Sequence, residues 1–325
     1  MVEDPETGVL SPFDFGHLTD QIPEIKKFNY HIDNISFDPI IDSSNMDPAV
    51  WVRLATIIET NHEGYDGFVI LHGSDTMSYT ASALSFMLEN LARPVVLTGS
   101  QLPIGMIRTD GKENFITAIE IAAARKNNRA IVPEVCIYFE YQLYRGNRTH
   151  KFNAEDFEAF RSVNYPVLAE AGVHIKYNEQ VIHKPTDQEF RIFTRLDNNI
   201  AVLKLFPGIS QQVVSSVLSI DGLKGVVLET YGSGNAPTYD WFEDALKKAI
   251  DNGMVICNVS QCQGGAVIQG KYETSAWLDK IGVVSGHDMT TEAAVTKLMY
   301  LLGNGYSSSR LKKYLQKSLR GEMTV

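Results

Sequence analysis

Cysteine is nearly absent from this sequence: Cys136, Cys257 and Cys262 are the only three in 325 residues. An odd set with no CxxC pair excludes a disulfide scaffold and points to reduced thiols in a cytosolic protein. Cys136 and Cys257 lie inside apolar runs and read as small buried hydrophobes. The eight histidines show no HExxH or paired ligand spacing, so no metal is expected. No apolar stretch reaches the roughly 18 residues that span a bilayer, which argues against a membrane partner. Positive charge is also short. Against 39 acidic residues stand 29 basic ones, a net charge of −10, so nucleic acid and anionic membranes are poor partners. The opening stretch MVEDPETGVLSPFDF has no basic region and no apolar core, hence no signal peptide, and carries no strand pattern. No repeat of solenoid period is visible.

What is present is an alternation of short apolar runs, glycine-rich turns and helical patterns, the mark of parallel sheets covered by helices. The length suffices for two cores. The expected fold class is α/β, with two Rossmann-like domains built on parallel sheets, the N-terminal one larger. Their expected bounds are 1–182 and 201–325, with a linker over 183–200 marked by Pro185-Thr186-Asp187 and Asp197-Asn198-Asn199. Phe68 to Leu71 reads as a strand. The spacing of Leu84, Met87, Leu88 and Leu91 predicts a helix ended by Arg93-Pro94, before a strand at Val95 to Thr98.

Parallel sheets place ligand sites at the carboxyl ends of their strands. Three polar turns qualify. Asp42-Ser43-Ser44-Asn45-Met46-Asp47 could hold the charged groups of a small zwitterion, although on its own the pattern is better explained by capping a helix that starts near Pro48. Ser74 and Asp75 follow a buried strand; they could meet a ligand at a helix N-terminus, but the motif alone favours their simply capping that helix. His72 reads as a packed histidine rather than a base. In Tyr144 to Lys151, three cations in seven residues suggest a solvated surface; a lysine held beside Ser74 and Asp75 would instead activate a hydroxyl.

Gly67-Phe68-Val69-Ile70-Leu71-His72-Gly73-Ser74-Asp75-Thr76-Met77 resembles the second signature of the asparaginase family. Asp42 to Met46, Leu143 to Thr149, Tyr231 to Pro237 and Leu319 to Glu322 resemble its cytoplasmic, type I branch. The likeness runs in family order over essentially the whole chain. It implies hydrolysis of L-asparagine to L-aspartate and ammonia by double displacement through an acyl-enzyme, without a cofactor, in a cytoplasmic homodimer or homotetramer. Asp42, Ser43 and Ser44 then match a substrate-binding turn, and Asp75 the carboxylate facing the substrate ammonium. Ser74 stands where most members carry threonine in a Thr–Lys–Asp relay, and Lys151 matches its lysine. Asn235 matches a site position in the second domain.

The family's first signature, a strand ending in Thr-Gly-Gly-Thr with the primary nucleophile, finds no counterpart. Its absence should leave unpaired backbone groups and a slot in the first sheet. It also raises a second reading, a non-catalytic homologue that binds asparagine or aspartate. Glu229 occupies a position where some members carry a regulatory-site arginine, which implies weak or no activation by asparagine. A nucleotide site at Gly232-Ser233-Gly234 lacks its third glycine and acidic partner.

Overall fold

The computed structural model describes residues 2–3, 10–11, 22–270 and 273–324. By its internal contacts the chain divides into two units, Met1–Ile192 and Phe193–Val325.

In the first unit Asp47 caps helix α1 (Pro48–Asn61): its carboxylate accepts from the amides of Ala49 and Val50, and proline takes the first helical position. Trp51, Leu54, Ala55 and Ile58, spaced i, i+3, i+4 and i+7, are its buried face. Then follow β1 (Phe68–Leu71), α2 (Met77–Met87), β2 (Val95–Thr98), α3 (Gly111–Ala123), β3 (Val135–Phe139), β4 (Gln142–Arg145), β5 (Ala169–Ala171) and β6 (Ile175–Tyr177). They build one six-stranded sheet in the order β6-β5-β4-β3-β2-β1. Its core sets Ala118, Ile121 and Ala122 of α3 against Val96, Cys136 and Tyr138.

Three expectations need correction. The sheet is mixed rather than parallel: β1, β2 and β3 are parallel, while β4, β5 and β6 run antiparallel. A two-residue turn at Glu140-Tyr141, both at positive φ, folds β4 straight back on β3, a connection open only to antiparallel strands. The helix expected to reach Leu91 stops at Met87, because Leu88-Glu89 pairs with Arg191-Ile192 as a short antiparallel ladder. Residues 2–3 and 10–11 also form a small antiparallel ladder, where the polar composition suggested no strand.

Among the described residues β1 is an edge strand. Along its whole length runs a cavity of about 960 Å³, walled by apolar side chains such as Ile41, Ile58, Phe115 and Ile119. Turn residues Ser43, Ser74 and Asp75, with Lys151, line it beyond the carboxyl end of β1.

The second unit is all-parallel. Strands β7 (Ile200–Lys204), β8 (Gly225–Thr230), β9 (Val255–Ser260) and β10 (Val284–Ser285) alternate with helices α4 (Gln211–Leu218), α5 (Asp240–Asp251) and α6 (Glu273–Ile281), and α7 (Thr291–Gly303) and α8 (Ser308–Leu315) follow. The strands lie in sequence order. Val226, Leu228, Ile256, Phe242, Leu246 and Leu278 fill the core. Thr290 caps α7 by accepting from the Ala293 amide. From α7, fully buried Lys297 donates all three ammonium protons: to Glu322 Oε1 at 2.6 Å, and to the carbonyls of Leu315 and Lys317 at 3.0 and 2.8 Å. Glu322 accepts in turn from the amides of Leu319 and Arg320. The last residues are thus pinned to the core by one charge pair with its donors and acceptors engaged.

Candidate functional site

The two polar turns near β1 are packed together. A Cβ on Gly73 would meet Ser43 Oγ at 2.5 Å and Ser43 Cβ at 2.8 Å, so only glycine allows this approach. Thr76 Oγ1 then donates to the Ser43 carbonyl at 2.6 Å. Ser43 is buried. Asp42 closes its own turn, accepting from the Ser44 amide at 2.8 Å and from the Ser44 hydroxyl. Those donors hold its carboxyl below the usual aspartate range.

His72 braces the second turn. The Gly73 carbonyl, 2.7 Å from Nδ1, can only accept, so Nδ1 carries the proton. Nε2 therefore accepts from the Thr80 hydroxyl at 2.8 Å, and that oxygen accepts from Trp51 Nε1 at 3.0 Å. Burial pulls the imidazole below its ordinary pKa and keeps it neutral. The histidine is packed and hydrogen-bonded, as its sequence setting suggested.

Ser74 and Asp75 do not cap α2. Its N-cap is Thr76, which makes no side-chain capping bond. Both residues turn instead to Lys151, whose Nζ donates to Ser74 Oγ at 2.9 Å and to Asp75 Oδ1 at 2.7 Å. The lysine side chain is 17% exposed and the aspartate 66%. How Lys151 arrives there is a matter of packing. A single 3₁₀ turn at Gly146–Arg148 lies against α2 so closely that a Cβ on Gly146 would touch Ala81 at 2.9 Å. The chain then enters a short ladder in which Lys151 pairs with Phe160.

The surface reading of this cationic run is overturned. Arg145 and Arg148 are each 3% exposed, because Arg145 Nε donates to buried Glu134 at 2.6 Å and both guanidiniums lie over the Tyr165 ring. A buried carboxylate and an aromatic face replace the water such charges need.

Gln101, three residues past the end of β2 at Thr98, escaped the sequence reading. Its Oε1 accepts from Ser74 Oγ at 3.1 Å. The rule that polar residues closing an apolar strand carry chemistry covers it as well as Ser74, but no charge drew notice to it. Asn235 belongs to the second unit. It closes a tight turn with Tyr231 through paired backbone bonds, and its side-chain oxygen accepts from Thr274 at 2.9 Å. Also there, Glu229 accepts from Thr291 at 2.6 Å and pairs with Lys204 at 3.1 Å. Among the described residues no group of three or more His, Cys, Asp and Glu side chains could hold a metal. Nor, among the described residues, is any helix long and apolar enough to cross a membrane.

The chain resembles known proteins over nearly all its length. The family "Asparaginase, N-terminal" matches residues 1–183, and "Glutaminase/Asparaginase C-terminal domain" matches residues 199–315. L-asparaginase 1 of Escherichia coli (strain K12) is 42% identical over 95% of this chain and 91% of its own. A 60 kDa lysophospholipase of Mus musculus is 44% identical over 88% of this chain, which spans 50% of that protein. The crystal structure of L-asparaginase I from Vibrio cholerae superposes with a TM-score of 0.87 at 41% identity, covering 95% of this chain and 93% of the other.

Proposed function

Because the chain belongs to the asparaginase family of amidohydrolases, we propose that it hydrolyses the side-chain amide of L-asparagine to L-aspartate and ammonia. The observation that carries this reading is Lys151 Nζ set between Ser74 Oγ and Asp75 Oδ1 at 2.9 and 2.7 Å. In this reading the exposed Asp75 carboxylate faces the substrate α-ammonium, a charge-assisted contact. The turn at Asp42, Ser43 and Ser44 orients the substrate. Lys151, having lost a proton to solvent, takes the proton of the attacking hydroxyl and passes it to the departing ammonia. In the second step it takes a proton from water, whose oxygen displaces the ester oxygen, and returns that proton to the freed hydroxyl, while Ser74 accepts from its ammonium form.

The acylating hydroxyl comes from a Thr-Gly-Gly-Thr strand, which needs a seat parallel to β1. The edge position of β1 and the apolar cavity beside it, with Ser74 and Lys151 on its lining, support that placement. Ammonia release should be measured on the chain with and without such a strand added at its N-terminus. Turnover of asparagine well above glutamine in the extended protein is expected; inactivity there would sink the reading. Binding of aspartate with no ammonia released from either protein would favour the non-catalytic homologue. We further propose a cytoplasmic homodimer or homotetramer that acts without cofactor, nucleic acid or membrane. With Glu229 engaged by Lys204 and Thr291, the rate should rise hyperbolically with asparagine, showing no activation.

A further inference from the structure

Gln101 is held from three directions. Its backbone amide and that of Leu102 donate to Asp110, at 2.9 Å to Oδ2 and 3.1 Å to Oδ1 respectively. Asp110 is itself held by Asn114 at 3.1 Å. The side-chain Nε2 donates to the Asp156 carbonyl at 3.0 Å. That last contact settles which way the carboxamide faces. A carbonyl can only accept, so the NH₂ side must point at Asp156 and Oε1 at Ser74, 3.1 Å away. An amide oxygen cannot donate. The bond to Ser74 is therefore made by the serine proton.

Lys151 faces the same hydroxyl at 2.9 Å, and an ammonium can only donate. Ser74 Oγ thus spends its proton on Gln101 and one lone pair on Lys151. What it has left for a ligand is a second lone pair.

We propose that Gln101 is a positioning residue that fixes Ser74 as a hydrogen-bond acceptor, so that the site prefers a ligand group that donates there, an amide NH₂, over a carboxylate oxygen. This deepens the asparagine reading and rests on it for the ligand. It gives the site a means of favouring substrate over product, which differ only in that group. Without Gln101 the hydroxyl is free to turn and donate to a carboxylate.

Neutron diffraction from deuterated crystals of the chain tests the geometry with no ligand present. A Ser74 deuteron directed at Gln101 Oε1 is expected; one directed at Asp75 or into the cavity overturns the proposal. Calorimetry and initial rates test the consequence. Gln101→Met, which keeps the size and removes the acceptor, should tighten L-aspartate binding about tenfold relative to the Kd or KM for L-asparagine, the effect of one regained hydrogen bond to a charge. An unchanged ratio in a variant that still unfolds cooperatively overturns it. In a Ser74→Ala background the same change should leave the ratio alone; a persisting shift would show that Gln101 acts by another route. If the strand-extended protein binds neither amino acid, the asparagine reading fails, while the deuteron position still decides whether Gln101 orients Ser74.

Discussion

Two lysine–carboxylate pairs of almost equal length sit in opposite surroundings. Lys297 meets Glu322 at 2.6 Å with both side chains 0% exposed. Lys151 meets Asp75 at 2.7 Å with the aspartate 66% exposed. In the first pair every lysine proton has a partner within the fold, so the charges are spent on holding the C-terminal segment. In the second, the carboxylate keeps most of its surface open to water or ligand, and the lysine shares itself with a hydroxyl. The bond length is the same; what differs is how much hydrogen-bonding capacity is left over. A closed pair is architecture, and an open one is available for chemistry.

That contrast can be broken most forcefully at the closed pair. Glu322→Ala strands a buried ammonium, which costs about 3–5 kcal/mol; denaturant unfolding should show a large fall in midpoint or no cooperative transition. Lys151→Met should leave the unfolding free energy within about 1 kcal/mol of the parent, yet lower ammonia release about 10²- to 10⁴-fold in the strand-extended protein, the usual weight of a general acid–base group. Equal loss of stability in the two variants would erase the distinction. A third test uses pH. Burial depresses the pKa of His72 and of His62, so the unfolded chain binds more protons than the folded one below about pH 6.5. The stability linked to these groups is present above that pH and is lost as pH falls toward the depressed folded values, by at most about 1.4 kcal/mol per pH unit for each. His72→Gln should flatten part of the slope between pH 7 and 5 in urea titrations. The smallest effect belongs to Ser44→Ala. It removes one donor from Asp42 and should raise that carboxyl's pKa, read by carbon NMR, while changing stability by about 0.5 kcal/mol or less.

How much of this was legible in the sequence differs by scale. The apolar runs at Phe68–Leu71, Val95–Thr98 and Gly225–Leu228 became strands because three or four apolar or β-branched residues between turn residues leave few alternatives. Helix α2 was overextended because Leu88 continues the helical spacing, and the ladder partner that removes it, Arg191-Ile192, is a hundred residues away. The antiparallel half of the first sheet was missed because Glu140-Tyr141 carries none of the glycine or asparagine that usually signals such a turn. For the site, local pattern alone favoured helix capping at Ser74 and a solvated surface at Arg145 and Arg148. Both are wrong for one reason: the deciding partners, Lys151 and Glu134, are distant in sequence or buried. The family likeness had already set Lys151 beside Ser74, and without it no periodicity joins them. Gln101 carried no signal that a charge-seeking search would find.

The contact between Gly73 and Ser43 has a consequence for how this protein can change over generations. Positions 43 and 73 occupy nearly the same space from two separate turns, so neither can grow unless the other yields. A mutation adding even a methyl group at 73 would push Ser43 aside. It would move Asp42 and Ser44 with it, while Ser74 and Asp75 shift the opposite way. Both turns would be displaced at once unless position 43 shrank in the same step. The two turns are therefore inherited as one unit.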